Sequence, residues 1–582
     1  TSRLFPLPLP LPPPPPSPPP PPLPPPPPPP PPQPQQPALT AALGQQLKKM
    51  FGSVLKLSME KIDLDQGFEY YGVDSVLVTQ LNARLEEVFG VLPKTLFYEC
   101  ASLRALGAYL LARHRPACLQ WSGVQSPGEA LPAAAAPGAT DLAAGAVAPR
   151  RARKALARSA GPGRVGAAAP LQRAEREAIA IIGVSGRYPQ ARNIDEFWSN
   201  LRAGRDCISE IPAERWALDG FFDSTPGAGA SYSKWGGFVD GFAEFDPLFF
   251  RISPLEALGM DPQERLFVET CWSVLEDAGY TREQLLQQYG SRVGVFAGVT
   301  KTGFELYGAQ PGSQVLPRTS FASVANRVSY LLDLKGPSMP IDTMCSSSLT
   351  AIHEACEHIH RGECDMAIAG GVNLYLHPSN YTALCSQRML SEDGQCKSFG
   401  ANGNGFVPGE GVGAVLLKRL SAAEADQDHI YGVIRASSIN HGGKTNGYMV
   451  PNPQVQAEVI RDALDKAGID ARSVSYIEAH GTGTALGDPI EIRGLAQAFG
   501  RDTQERQFCA IGSAKSNIGH CESAAGIAGL TKVLLQMRHG QLAPSLHARA
   551  LNPNIDFSAT PFVVQQELAD WTRPSVNIDG VL

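Results

Sequence analysis

Between residues 6 and 32 the chain is almost pure proline. A backbone with φ fixed near −65° and no N–H to donate cannot build a helix interior or a sheet interior. Such a run adopts polyproline II and, at ~3.1 Å per residue, reaches about 80 Å. Residues 1–37 therefore read as a semi-rigid Pro-rich linker; the other use of such a run is as a ligand for proline-recognising domains. A second stretch, residues 116–176, is rich in Ala, Pro, Gly and Arg without sustained hydrophobic period, and reads as flexible linker. Its cluster Arg150-Arg151-Ala152-Arg153-Lys154 is short and lacks interleaved aromatics, so it reads as a solvated segment. These two stretches leave a small domain, residues 38–115, and a large one, residues 177–582.

Composition then removes several function classes. Net charge is −6, which gives no general attraction to nucleic acid or an anionic membrane. The 11 cysteines are scattered singly, with no Cys-x-x-Cys pair and no Cys/His ligand spacing. That pattern speaks against structural metal and a disulfide framework, and for a reducing cytoplasm. No apolar run approaches the roughly 18 residues of a membrane span. Leucine alternates with proline from Leu4 to Leu11, which cannot form the apolar core of a signal peptide. The first residue is threonine, which suggests an excised piece.

The small domain shows helical periodicity. Leu43, Leu47, Met50 and Phe51 mark one helix; Val78, Leu81, Leu85 and Val88 mark a second, closed by Gly90; Leu103, Leu106 and Leu110 mark a third. With a short helical turn near residues 94–99, the expectation is a four-helix bundle. Tyr71-Gly72-Val73-Asp74-Ser75-Val76 opens the second helix. A serine there is either an N-cap or the exposed anchor of a flexible arm, whose phosphate a helix N-terminus favours. The whole segment resembles an acyl carrier protein, in which a Gly-x-Asp-Ser-hydrophobic motif accepts 4'-phosphopantetheine. The resemblance implies that Ser75 carries the arm and that Asp74 helps present it to a phosphopantetheinyl transferase. Glu86 and Glu87 fit a partner-facing surface.

In the large domain, strands and helices alternate. The apolar run at residues 178–182, ended by Gly183, has the form of a strand buried on both faces, and residues 292–298 and 366–371 repeat it. Helical patterns cover residues 262–277, 345–361 and 454–467. A domain of about 400 residues exceeds a usual single core, so duplicated halves are expected. Three constellations stand out. Asp342-Thr343-Met344-Cys345-Ser346-Ser347-Ser348-Leu349 sets a cysteine where an extended run turns into a helix, and Leu349, Ile352, Cys356 and Ile359 recur at helical spacing. The positive end of a helix favours a thiolate there; the alternative is a small buried hydrophobe. His480 ends an apolar strand and enters the Gly/Thr loop Gly481-Thr482-Gly483-Thr484, followed by Gly487-Asp488-Pro489. Lys515-Ser516-Asn517-Ile518-Gly519-His520 runs into a Gly/Ala-rich helix over residues 522–535. Each histidine alone is more often structural than catalytic.

Together the three resemble the signatures of ketosynthases, the thiolase-like condensing enzymes of modular polyketide synthases, in the type whose acyltransferase acts in trans. The resemblance implies an αβαβα thiolase fold of two pseudo-symmetric halves working as a homodimer. It implies that Cys345 accepts an acyl chain, that His480 and His520 stabilise the enolate left by decarboxylation of a malonyl-type extender, and that Lys515 supports the pair. Thr482 and Thr484 would contact the incoming pantetheine arm. The partners implied are other synthase modules and their carriers, and a trans-acting acyltransferase. The family ends in a Gly-rich segment supplying a second oxyanion donor, whereas this chain stops at Asp579-Gly580-Val581-Leu582. A C-terminally truncated domain is the expectation, and one lost donor typically costs about 10² to 10³ in rate. Non-condensing acyl transfer, or an inactive carrier and docking fragment, are the alternatives. Other matches are weaker: Gly443-Lys444-Thr445 lacks the first P-loop glycine, where Ser438 stands, and Gly409-Glu410-Gly411-Val412-Gly413 fits close backbone approach to the site rather than a dinucleotide fingerprint. His353, His358, His360 and Cys364 have offsets that suit a helix surface, not a metal site.

Overall fold

The structure is a computed structural model describing residues 36–55, 57–71, 73, 75–93, 96–123, 176–224, 230–301, 303–308, 316–445 and 450–576. The proline run, Asp74, the Arg150–Lys154 cluster and residues 579–582 lie outside the described residues, as does the side chain of Ser75.

Two compact units divide the chain, residues 1–66 with 102–134 and residues 67–101 with 135–582. In the first, helix α1 (Gln36–Leu55) packs on α4 (Leu103–Arg113) and α5 (Arg115–Ser122). Leu39, Leu43, Leu47 and Phe51 of α1 are buried, as are Leu103, Leu106 and Leu110 of α4, so the helical period expected of both is the period observed. Helix α5 lies in the stretch assigned to the linker, and corrects its beginning. Pro116 stands at the start of α5, where a missing N–H costs nothing, and Cys118 is fully buried. In the second unit, α2 (Ser75–Phe89) and α3 (Leu96–Glu99) bury Leu81, Leu85, Leu96 and Phe97, with the Phe68 and Phe97 rings 5.1 Å apart.

Residues 176–576 form five layers. The central strands of the first sheet are β1 (Ile179–Arg187), β2 (Val293–Gly298), β4 (Met366–Asn373) and β5 (Gly411–Arg419). Its edges are β3 (Ser338–Ile341) and β6 (Gly432–Ile434), in the order β3-β2-β4-β5-β1-β6. Strands β3, β2 and β4 run parallel, and β5 opposes both β4 and β1. Both faces are covered, which is why these strands read as continuous apolar runs. On the outer face Val293, Val295 and Ala297 meet Leu266, Phe267, Cys271 and Val274 of α6 (Pro262–Asp277) and Val324 and Val328 of α7 (Phe321–Leu332). On the inner face Phe296, Ala367, Ala369 and Val415 meet α8 (Ser347–His360) and α10 (Ala525–His539). A parallel three-stranded sheet, β9 (Phe562–Val564), β8 (Cys509–Gly512) and β7 (Tyr476–Glu478), follows, with α9 (Gly487–Phe499) against it through Ile492, Leu495 and Phe499. The thiolase-like αβαβα order expected from the sequence is the order found.

This layering brings α8 and α10 side by side in the middle of the domain. Burial of Ile527, Leu534 and Leu535 on α10 is worth ~1.5–3 kcal/mol each. Gly298, at the end of β2, allows the first turn of α8 to close on the sheet: a Cβ there would lie 2.7 Å from Ser348 N.

Candidate active site

Cys345 lies between β3 and α8, in a 3-10 turn (Met344–Ser346) ahead of the α-helix. The sequence placed it in the first helical turn; the difference is one of backbone. Met344 has φ +57, a left-handed conformation that a side chain occupies only when its surroundings hold it. The Asp342 carboxylate accepts from Met344 N at 3.0 Å and from the Thr300 hydroxyl at 3.1 Å. Ser347 Oγ accepts from Thr343 N at 3.0 Å and donates to Met344 O at 2.6 Å. The turn is thereby tied to the loop that follows β2.

The thiolate expectation needs correction. Burial, and then the Glu522 carboxylate, push the Cys345 thiol above its ordinary value, while Lys515 and Lys301 pull it down. Desolvation outweighs the helix end because Cys345 precedes α8 and faces charges of both signs.

On the opposite wall, β7 ends at Glu478 and delivers His480 into the Gly/Thr loop. Glu491 of α9 accepts from His480 N at 2.6 Å and from Gly481 N at 2.8 Å. Asp488 accepts from Phe399 N at 2.7 Å and Gly483 N at 3.1 Å, and burial pushes its pKa up to about 7. The two carboxylates in the first turns of α9 therefore clamp the preceding loop, a role visible in sequence only as Asp and Glu three apart after Gly487. His520 is reached through Gly519, and its N–H donates to Val407 O at 2.7 Å. Gly409 approaches this backbone closely, since a Cβ there would lie 2.6 Å from Ile518 O.

The two imidazoles lie edge to face with centroids 5.4 Å apart. His520 is 2% exposed. Its Nδ1 accepts from Glu522 N at 3.1 Å, so the ring proton sits on Nε2, and Nε2 has no partner among the described residues. Burial and the charge of Lys515 hold His520 well below the usual imidazole range. The same causes push His480 down, less far than His520 because this ring is the more exposed of the two. Lys515 is itself buried. Both rings are thus neutral donors rather than imidazolium ions.

Cys345, His480 and Lys515 line one cavity of about 590 Å³, whose apolar wall includes Leu349, Gly526, Leu530 and Val533. Gly519 and Cys521 on either side of His520 line it too. Thr482 and Thr484 do not: Thr482 is buried, their hydroxyls lie 3.2 Å apart, and Thr484 Oγ1 accepts from Gly487 N at 3.1 Å. The motifs also gave no sign of Lys301 and Glu522, which pair through Lys301 Nζ and the Glu522 carboxylate at 2.6 Å beside this cavity. His353 and His360 face separate partners, Ser437 Oγ and Glu177 O, each at 2.8 Å.

A cysteine, two histidines and a lysine converging from two halves of an αβαβα domain match a known profile. The profile for the N-terminal domain of beta-ketoacyl synthases covers residues 176–423, and that for the C-terminal domain covers residues 431–549. The chain belongs to the beta-ketoacyl synthase family. The ketosynthase domain, an acyltransferase-type enzyme, is preceded by a carrier domain, where the profile of the phosphopantetheine attachment site matches residues 45–110. Polyketide synthase PksL of Bacillus subtilis is 52% identical over 543 residues, 92% of this chain and 12% of PksL. Polyketide synthase ThaG of Burkholderia thailandensis is 53% identical over 566 residues, 92% of this chain and 10% of ThaG. The chain thus spans about a tenth of the length of these relatives. Among solved structures, the oxazolomycin ketosynthase domain OzmH KS7 of Streptomyces albus superposes with TM-score 0.67 at 52% identity, covering 69% of this chain and 70% of that one. The ketosynthase from module 6 of the bacillaene synthase of Bacillus subtilis gives 0.63 at 47%, covering 68% and 67%.

Proposed function

We propose that this chain performs decarboxylative Claisen condensation within a polyketide synthase, with Cys345 as the acyl-accepting nucleophile. The observation that carries the reading is the cavity itself, where the thiol of Cys345 faces neutral His480 and, behind it, the unpaired Nε2–H of His520. Cys345 attacks the thioester carbonyl of an acyl chain and holds it as a thioester, its proton leaving with the carrier thiol. A malonyl-type extender then loses carbon dioxide, and negative charge builds on its thioester oxygen. His480 and His520 donate N–H bonds to that oxygen, His520 from an almost wholly buried position, and Lys515 keeps both rings neutral and supplies a positive field. The resulting carbanion attacks the Cys345 thioester and releases the thiol. The apolar wall of Leu349, Leu530 and Val533 suits the acyl chain.

Ser75, first residue of the 15-residue helix α2, is the proposed site of 4'-phosphopantetheine, and that helix start suits a phosphate. When bound, the group supplies the thiol that presents an acyl chain to a ketosynthase. Asp74 presents Ser75 to a phosphopantetheinyl transferase, and Thr482 and Thr484 turn their hydroxyls to the arm when it enters. The partners are neighbouring modules, a downstream carrier with the extender, and a trans-acting acyltransferase of the kind the subtype implies. A second copy pairs along the β3 edge of the six-stranded sheet, near the exposed Phe321 and Tyr330 of α7. The eleven cysteines are all free, which suits a cytoplasmic protein, and among the described residues no helix is long and apolar enough to cross a membrane.

The test is acyl transfer followed by mass spectrometry. With the chain acylated on the Ser75 arm, label is expected to move to Cys345 and, in Cys345→Ala, to stay on Ser75. Transfer to the large domain in the variant contradicts the assignment. Carbon dioxide release from a malonyl-carrier separates condensation from plain acyl transfer.

A further inference from the structure

Lys301 belongs to none of the three motifs, yet its charge acts on Cys345 and its side chain bonds Glu522, two residues past His520. It follows β2 in the loop that includes Thr300, and Gln263 Nε2 fixes its carbonyl with a hydrogen bond of 2.6 Å. Its Nζ meets Glu522 Oε1 at 2.6 Å and Oε2 at 2.5 Å, and lies 5.8 Å from the Tyr375 ring centroid. The Tyr375 hydroxyl donates to the same carboxylate at 2.5 Å. Glu522 is 4% exposed and has φ +41. In that conformation its own N–H reaches His520 Nδ1. Thr300, one residue earlier, bonds the Asp342 carboxylate that holds the Cys345 turn. Two consecutive residues therefore touch the cysteine side and the histidine side of the cavity.

We propose that Lys301 and Glu522 are a charge-compensating positioning pair: Lys301 neutralises a carboxylate that faces Cys345, and the Glu522 it anchors holds His520 in the Nε2–H tautomer. The proposal deepens the ketosynthase reading and rests on Cys345 being its nucleophile. A buried carboxylate left alone beside this cavity opposes both the thiolate and the enolate, because each adds negative charge nearby. The pair with Lys301 removes that opposition while keeping a fixed backbone donor for Nδ1. The charged and titratable groups around Cys345 are Glu522 and Lys301 from this pair, the Tyr375 hydroxyl bonded to Glu522, Lys515, the Cys521 thiol on the cavity wall, and the rings of His480 and His520. Glu522 raises the thiol and both lysines lower it, so losing Lys301 and losing Glu522 act in opposite directions.

The test uses the full chain and the pH dependence of Cys345 alkylation by iodoacetamide, followed at the Cys345 peptide by mass spectrometry. Lys301→Met is expected to move the inflection up by about one pH unit and Glu522→Gln to move it down. The double variant is expected to return close to the parent, since removing one charge of each sign makes the two shifts cancel. Lys301→Arg keeps the charge and is expected to keep the parent inflection; if Lys301→Met does not fold, Lys301→Gln takes its place in the comparison with Arg. Equal inflections in the charged and uncharged variants, in protein whose thermal melt is unchanged, overturn the pair. Cys345 unlabelled at every pH in the parent overturns the nucleophile assignment on which the pair rests, so the two failures are distinguishable.

Discussion

Cys345 lines the cavity and His520 lies behind His480 on its far side, and the two are controlled differently. Cys345 stands on a left-handed turn pinned by Asp342, Thr300 and Ser347, and its thiol lies between a carboxylate that raises its pKa and two lysines that lower it. His520 is almost wholly buried, tied at Nδ1 by a backbone N–H, and surrounded by groups that all disfavour its protonation. The cysteine is thus balanced and adjustable, whereas the histidine is fixed in one form. A Cys–His ion pair, in which imidazole becomes imidazolium by taking the thiol proton, does not suit this electrostatic setting. The difference assigns separate tasks: the cysteine changes its bonds, and the imidazoles wait as neutral donors for a charge that develops elsewhere.

The largest expected effect breaks the histidine side alone. His520→Ala removes one donor to the enolate, so carbon dioxide release should fall by about 10² to 10³ while acylation of Cys345 persists. Equal losses in the two half-reactions would show that the two sides are not separate. Next, the cysteine side is sharpened through its backbone. A β-branched residue suits the left-handed φ of Met344 poorly, so Met344→Val should cost about 1–2 kcal/mol in denaturant melts and slow acylation, whereas Met344→Gly should cost less than about 1 kcal/mol.

A further test of the histidine side is a pH dependence of stability. The folded pKa of His520 lies below the unfolded value of 6.5, so below pH 6.5 the unfolded chain binds the extra proton. Stability from this group is therefore complete above pH 6.5 and falls as pH drops, by about 1.4 kcal/mol per pH unit for one fully buried imidazole. Between pH 6.5 and 5 the parent should lose about 2 kcal/mol more than His520→Gln, measured by chemical denaturation. An equal loss in the two proteins would mean that His520 is protonated in the folded state.

Much of this was legible in the sequence because it depended on period and motif. The run before Gly183 predicted a doubly buried strand, and α6 spans the predicted residues 262–277, because apolar spacing reports burial directly. The three motifs bring Cys345, His480 and Lys515 to one cavity, with His520 against His480. What stayed hidden depended on three-dimensional charge and on single backbone angles. The raised Cys345 thiol follows from burial in the folded domain and from Glu522, 177 positions downstream of it in sequence, and the φ of Met344 follows from contacts with the loop after β2. Helix α5 is not legible in the sequence because Pro116 closely follows α4 and leads toward the Ala/Pro-rich stretch, and the segment reads as linker until Cys118 is seen to be buried.

The account's central claim is that the imidazoles are neutral donors while the thiol carries the covalent chemistry. Its most direct test is the pH dependence of carbon dioxide release from a malonyl-carrier by chain already acylated on Cys345, where the thiol no longer titrates. The account predicts a rate that stays level as pH crosses 6.5, because neither ring gains or loses a proton there. A rate with an inflection near 6.5, rising on the acid side, would show that an imidazolium does the work and would contradict it.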